Sequence, residues 1–230
     1  MVLAAGLGTR MRPLTDTCPK PLIKVAGKPL IEYGFDRLHA AGVRRAIVNV
    51  HHLPTQIEEW ARKQRGIEIL ISDERTELLD TGGGVARALP RLGDAPFFVL
   101  NSDSFWIDIG TPALSRLISA WDDSKMDCLL LLCPISQTIG YDGLGDFVIE
   151  PGGMIARRDG STCDGLAYAG SYLVAPRLFL EAPAGKFSMN VLWDRAIARN
   201  RLFGLTHWGK WFHVGTPDAI PSAERALFAT

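Results

Sequence analysis

Nowhere in the 230-residue sequence do eighteen apolar residues run together, which excludes a membrane-spanning helix. Net charge is absent as well. Lys and Arg total 25, Asp and Glu total 25, and the pI is near 7.0. A general nucleic-acid or membrane-surface binder needs a broad basic face, so neither partner is expected. Cysteine is scarce: the four residues Cys18, Cys128, Cys133 and Cys163 form no C-x-x-C pair for zinc, and the chain is far longer than a disulfide scaffold. Free thiols are expected, with Cys128 and Cys133 acting as small buried hydrophobes at the ends of CLLLLC. The sequence shows no charged leader, no cleavage site, no polar linker, no repeat and no low-complexity tract. The expectation is one cytoplasmic domain over residues 1–230.

What charge there is lies bunched at the start, MVLAAGLGTRMRPLTDTCPKPLIKV. The apolar Met1 to Ala5 followed by Gly6 and Gly8 reads as a buried strand delivering a glycine loop. Arg10, Arg12, Lys20, Lys24 and Lys28 then face a single acid, Asp16. A bound anion is expected there. Two phosphate loops fail against this stretch. A dinucleotide fingerprint wants glycine where Met11 stands and an acid where His51 ends the second strand. An ATPase-type loop wants Gly-Lys-Ser or Gly-Lys-Thr, and the chain has Gly8-Thr9-Arg10.

Downstream, strand and helix alternate. Leu30, Ile31, Phe35 and Leu38 mark a helix stopped by Gly42, Ala46 to Val50 a strand, Leu53 to Gln64 a helix, and Ile67 to Ser72 a strand. Such alternation predicts an α/β fold: a single-domain, Rossmann-like α/β/α three-layer architecture with a mostly parallel mixed sheet, ligands collecting at the carboxyl ends of the strands. His51 and His52 at one such end read as ordinary loop histidines. Gly82, Gly83 and Gly84 open the next helix. Two readings stand for them: close backbone approach of a ligand, or tight packing on the sheet. Phe97 to Leu100 is a further strand, ending in Asn101-Ser102-Asp103, and a strand-end Asp is well placed for a hard cation. Thr111 and Pro112 are expected to cap the next helix. Past Met126 to Pro134 the alternation gives way to strands and turns. The chain is therefore divided into a first half at about 1–125 and a second half at about 126–230.

The pairing of GxGTRMxPLT (from Gly6) with PKPLIKV (from Pro19) resembles the opening of the sugar-1-phosphate nucleotidyltransferases, and the likeness extends over nearly the whole chain. It implies transfer of a nucleotidyl group from a nucleoside triphosphate to a sugar 1-phosphate, with the nucleotide half at about 1–125 and the sugar-binding half at about 126–230. It further implies that Arg10 holds the triphosphate, that Lys20 contacts the α-phosphate and the sugar phosphate, and that Asp103 anchors Mg²⁺, with Mn²⁺ possible. Leu3, Ala4, Ala5, Gly6, Gly8 and Thr9 are implied to bind the nucleotide through their backbone. Gly82 and Gly83 lie against the base on the same analogy, with Asn101 and Ser102 beside them. Gly145 and Asp146, and Ala169 and Gly170, resemble the two segments that approach the sugar. Most of the family carries W-x-D-x-G-T where this chain reads Trp211-Phe212-His213-Val214-Gly215-Thr216. His213 thus replaces a metal-binding aspartate, and imidazole suits Mn²⁺ better than Mg²⁺. Relatives that lost metal ligands act as nucleotide-sugar sensors, so a binding module is the competing class. Base and sugar stay open between uridylyl, thymidylyl and guanylyl transfer, and a monomer is the expected state.

Overall fold

The computed structural model describes residues 1–160 and 165–229. Cys163 lies outside the described residues, while Cys18, Cys128 and Cys133 are free thiols. In chain order the elements begin with β1 (Val2–Leu3), a small hairpin of β2 (Lys24–Val25) and β3 (Lys28–Pro29), then α1 (Leu30–Ala40), β4 (Arg45–Val50), α2 (Pro54–Lys63) and β5 (Glu68–Asp73). There follow α3 (Asp80–Leu92), β6 (Phe97–Asn101), β7 (Ser104–Trp106), α4 (Ala113–Ala120), β8 (Cys128–Pro134) and β9 (Thr138–Ile139). The chain closes with β10 (Phe147–Ile149), β11 (Ile155–Arg157), β12 (Leu166–Val174), α5 (Asn190–Ala198), β13 (Leu202–Thr206), β14 (Trp211–His213) and α6 (Ala219–Phe228).

The main sheet has nine strands, in the path β11-β10-β12-β6-β1-β4-β5, with β8 also paired to β12 and β13 to β8. β1, β4, β5 and β6 are mutually parallel. β12 runs against β6, whereas β8 and β10 run against β12 and so return to the first direction, and β13 follows β8. Only β12 and β11 oppose the rest, which makes the sheet mixed but mostly parallel. Helices cover both faces. Ile31, Phe35 and Leu38 of α1, Ile57 and Trp60 of α2, and Leu114 and Leu117 of α4 share one core. On the other face Val85 and Ala88 of α3 meet Leu192, Trp193 and Ala196 of α5. These stripes recur at helical spacing, so each helix buries one side only.

A third core sits beneath the glycine loop, where Met11, Ile23, Val25, Leu30, Phe105 and Phe212 are buried together. Phe105 stacks between Tyr33 and Phe212, with ring centroids 4.1 and 4.7 Å away. Full burial of each such ring is worth roughly 1.5–3 kcal/mol. This core holds a second, three-stranded sheet in the order β7-β14-β9. Pairing of β14 with β7 sets His213 opposite Ser104, and the Val214 amide donates to the Asp103 carbonyl at 3.0 Å. The penultimate segment of the chain is thereby laid beside the end of β6.

The start of α4 differs from expectation. Thr111 and Pro112 supply no side-chain cap. Instead Asp108 Oδ1 accepts from the Ala113 amide at 2.8 Å and from Trp106 Nε1 at 2.9 Å, satisfying one of the helix's orphan donors from a distance of five residues.

Candidate active site

Beyond β1 the chain turns through Gly8, whose φ of 62° lies in the left-handed region that glycine adopts without strain. Thr15 Oγ1 donates to the Gly8 carbonyl at 2.9 Å and closes the loop upon itself. Gly8 and Thr9 therefore build the turn that carries Arg10. They do not border the cleft, whereas Leu3, Ala4, Ala5, Gly6, Asn101 and Ser102 do. A side chain on Gly6 would meet open space.

The basic cluster resolves into paired and unpaired members. Arg12 pairs with Asp16, Lys28 with Asp36, and Lys20 with Asp103. Arg10 and Lys24 make no ion pair among the described residues. The Arg10 guanidinium stands beside Gly215, 3.5 Å from where a Cβ on that glycine would lie, and His213 Nε2 is 2.7 Å from the same point. Lys20 Nζ donates to Asp103 Oδ2 at 2.7 Å, the two side chains being 11% and 29% exposed. Burial opposes ionisation of Asp103, but Lys20, His213 and Arg10 together outweigh it and hold its carboxyl below the usual range. Burial also lowers the pKa of His213. Asp103 works against that shift, and Lys20 and Arg10 reinforce it. The lowered pKa favours the uncharged imidazole, whose ring nitrogen offers a lone pair.

Ala4 corrects one expectation, because its amide is not free for phosphate. It donates to Asn49 Oδ1 at 2.7 Å, Asn49 Nδ2 donates to Glu74 Oε1 at 2.8 Å, and the Leu79 amide donates to Glu74 Oε2 at 3.1 Å. Asn49 is 3% exposed and Glu74 0%. This buried chain of bonds stitches together the ends of β1, β4 and β5 and the start of α3. His51 and His52 are loop histidines held against the carbonyls of Glu74 and Thr15.

Gly82 and Gly83 correct another. Their amides both donate to the Phe187 carbonyl, at 3.0 and 3.1 Å, and a Cβ on Gly82 would lie 2.3 Å from the Phe187 ring. On Gly83 it would lie 2.4 Å from the Gly185 carbonyl oxygen. The close approach these glycines permit is therefore to the chain's own segment 185–187, which covers them. Their neighbours Asp80 and Thr81 face the cleft instead. Asp80 has a φ of 63°, an uncommon conformation for a residue with a side chain and one that clusters at functional sites.

The cleft has two lobes joined through Leu3, Asp80, Thr81 and Asn101. One, of about 330 Å³, contains Lys20, Asp103 and Lys186. The other, of about 270 Å³, contains Asp146, Arg157, Tyr168 and Trp193. It opens where β12 passes from pairing with β10 to pairing with β6, around Gly170. Of the four residues expected at a sugar, Asp146 alone borders this lobe, its Oδ2 accepting from the Tyr168 amide at 2.8 Å. Gly145, in the loop before β10, and Gly170, at a bulge within β12, have φ of 96° and 74° and are pressed against Gly165 and Ser104, and Ala169 is fully buried. Lys186, Asn49, Glu74, Asp80 and Arg157 escaped sequence reading. Only the unusual DTGGG spacing pointed near any of them.

The sequence profile described as nucleotidyl transferase matches residues 1–157, which is more than half of the chain and includes every residue bordering the lobe of Lys20 and Asp103 except Lys186. The chain belongs to that family. This nucleotidyltransferase is 43% identical over 99% of its length to the N-acetylmuramate alpha-1-phosphate uridylyltransferase of Caulobacter vibrioides, of which 96% is covered. To the enzyme of the same name from Neisseria meningitidis serogroup B it is 36% identical, over 97% of this chain and 96% of that protein. Among solved structures, apo UDP-glucose pyrophosphorylase superposes with a TM-score of 0.80 at 16% identity, over 99% of this chain and 97% of that one, a likeness of fold. The family joins a sugar 1-phosphate with a nucleoside triphosphate, and the chain is an enzyme of this kind rather than a sensor. Family members generally use a divalent metal. No helix among the described residues is long and apolar enough to cross a membrane.

The donor set suits such an ion with the substrates' help. Asp103 Oδ1 accepts no hydrogen bond among the described residues and burial favours the uncharged form of His213, but no group of three His, Cys, Asp or Glu side chains forms a complete cage there. Mg²⁺ and Mn²⁺ are held in this way by one or two protein ligands plus phosphate oxygens and water.

Proposed function

We propose that the protein transfers the uridylyl group of UTP to N-acetylmuramate α-1-phosphate, forming UDP-N-acetylmuramate and pyrophosphate in the recycling of cell-wall sugar. The choice of base and sugar rests on one observation, near-full-length similarity to two proteins bearing that activity in their names. UTP occupies the lobe beside Gly6, with uracil toward Leu3 and Asn101, and the sugar occupies the lobe beside Asp146. The division into a nucleotide half and a sugar half follows the same line, and the enzyme works as a cytoplasmic monomer.

An oxygen of the sugar 1-phosphate attacks the α-phosphorus of UTP. A new P–O bond forms, the bond to the bridging α–β oxygen breaks, and pyrophosphate leaves with the electron pair. A phosphate monoester carries about −1.5 to −2 charge at neutral pH, so the nucleophile is already ionised and no general base is required. What the site must do is hold two repelling anions in line. Lys20, fixed in direction by Asp103, lines the lobe that takes UTP and is assigned to the meeting point of the α-phosphate and the sugar phosphate. Arg10, carrying an uncompensated charge, attracts the β- and γ-phosphates. Asp103 Oδ1 and His213 would hold the divalent ion, whose contribution when bound is to neutralise charge on the triphosphate oxygens.

The test is pyrophosphate release from four nucleoside triphosphates against the 1-phosphates of N-acetylmuramate, N-acetylglucosamine, glucose and mannose. UTP with N-acetylmuramate 1-phosphate should give the highest kcat/KM. A higher value for GTP with mannose 1-phosphate would overturn the assignment.

A further inference from the structure

The sugar lobe has an electrostatic asymmetry that the reaction itself does not need. Among the described residues bordering it, Asp80 and Asp146 are acidic and Arg157 is the one cation. An acidic group on a sugar placed in this lobe is repelled on two sides and has a single favourable place to go. Arg157 is prepared for it. Its guanidinium lies over the Phe147 ring, 4.6 Å from the centroid, and Phe147 is itself fully buried. Nε donates to Asp194 Oδ1 and Nη2 to Asn190 Oδ1, both at 2.8 Å, which ties the group to α5. A guanidinium has five N–H donors in a rigid fork, so these two bonds leave Nη1 and one hydrogen of Nη2 to spare. The pair with Asp194 is exposed, 37% and 60% for the two side chains, and an exposed pair contributes little stability. Its effect is to aim the fork.

We propose that Arg157 is a specificity-determining residue that selects an acidic sugar by pairing the free edge of its guanidinium with a carboxylate on the sugar ring. The proposal rests on the substrate assignment above, for muramate differs from glucosamine by a lactyl ether that carries a carboxylate. With the 1-phosphate beside Lys20, the ring enters the second lobe and its lactyl group reaches Arg157. Asp146, whose Oδ2 is engaged by the Tyr168 amide, accepts from a hydroxyl or amide N–H of the same ring. Planar two-point recognition of a carboxylate is what arginine does and lysine cannot.

The experiment compares R157Q and R157K with the wild type, using UTP and either N-acetylmuramate 1-phosphate or N-acetylglucosamine 1-phosphate in the same enzyme sample. That design cancels any difference in the folded fraction. Losing a charge-assisted bond should raise the KM for the muramate about 10- to 100-fold in R157Q. The KM for UTP should stay within about twofold, as should kcat/KM for the neutral sugar, and R157K should recover only part of the loss. Equal losses with the two sugars would overturn the proposal, since they would place Arg157 on the shared phosphate or in a purely structural role. An unchanged KM for the muramate would overturn it too. Those outcomes leave the uridylyl-transfer assignment standing. A wild type that turns over only neutral sugar phosphates would instead remove the assignment and the proposal together.

Discussion

Replacing Gly82 by alanine should lower the stability of the ligand-free enzyme, and the sign of that effect separates two explanations of the triple glycine. The added methyl would sit 2.3 and 2.5 Å from two carbons of the Phe187 ring and 3.0 Å from the Phe187 carbonyl. Phe187 cannot step aside freely. It is buried, its carbonyl takes both glycine amides, its own amide donates to Leu79, and the Met189 amide donates to Thr81 Oγ1 at 2.9 Å. Overpacking of this kind costs roughly 1–3 kcal/mol, against which alanine in a helix recovers about 1 kcal/mol. A net loss of about 0–2 kcal/mol is expected, and the rigid contact puts it in the upper half. For a chain of this size about 1 kcal/mol corresponds to about 2–4 °C in Tm. Scanning calorimetry without ligand should therefore show Tm falling by about 2–8 °C. If a ligand rather than the 185–187 segment filled that space, the ligand-free variant would be unchanged or slightly stabilised, and only the KM for the triphosphate would rise. A Tm equal to or above wild type would refute the packing argument.

Lys20→Ala should lower kcat about 100-fold or more, since a preorganised charge at the reacting phosphates is lost. Circular dichroism should stay native, and wild-type turnover at saturation would remove Lys20 from the mechanism. Asn49→Ala orphans the Ala4 amide and one oxygen of the fully buried Glu74, which should cost about 2–4 kcal/mol in urea unfolding. A loss below about 0.5 kcal/mol would mean that the Asn49–Glu74 bonds do not hold the loops together. His213→Asp replaces a neutral imidazole by a carboxylate beside Asp103, so half-maximal activation should need less Mg²⁺. An unchanged metal requirement would show that position 213 does not contact the ion.

How far the chain could be read without its structure depended on whether the information was local. The glycine loop, the alternation up to Asn101, and the placing of Arg10 and Lys20 in the loop after the first strand and of Asp103 at the end of a later one follow from apolar periodicity and from charge confined to a short stretch. All are properties of contiguous residues. The turn glycines were legible as glycines but not as to purpose. Gly6 and Gly82 look alike in sequence, and only the distant Phe187 shows that one faces open space and the other a packed ring. In the same way Thr111-Pro112 had the composition of a cap, yet an aspartate further back performs it.

By itself, then, the sequence determined the family, the doubly covered sheet and the bunching of basic residues behind the first strand. Tertiary structure alone decided which of those charges is free, because pairing partners such as Asp103 for Lys20 lie 83 residues away. It decided also that His213 joins the end of β6, through a second small sheet built on a buried aromatic stack. And it set Arg157 as the one cation among the described residues of the lobe that holds Asp146, since that placement depends on an edge strand, a helix and an aromatic ring meeting across three separate segments. Contacts made across long sequence separations leave no periodic trace in the chain, so physical packing had to supply them.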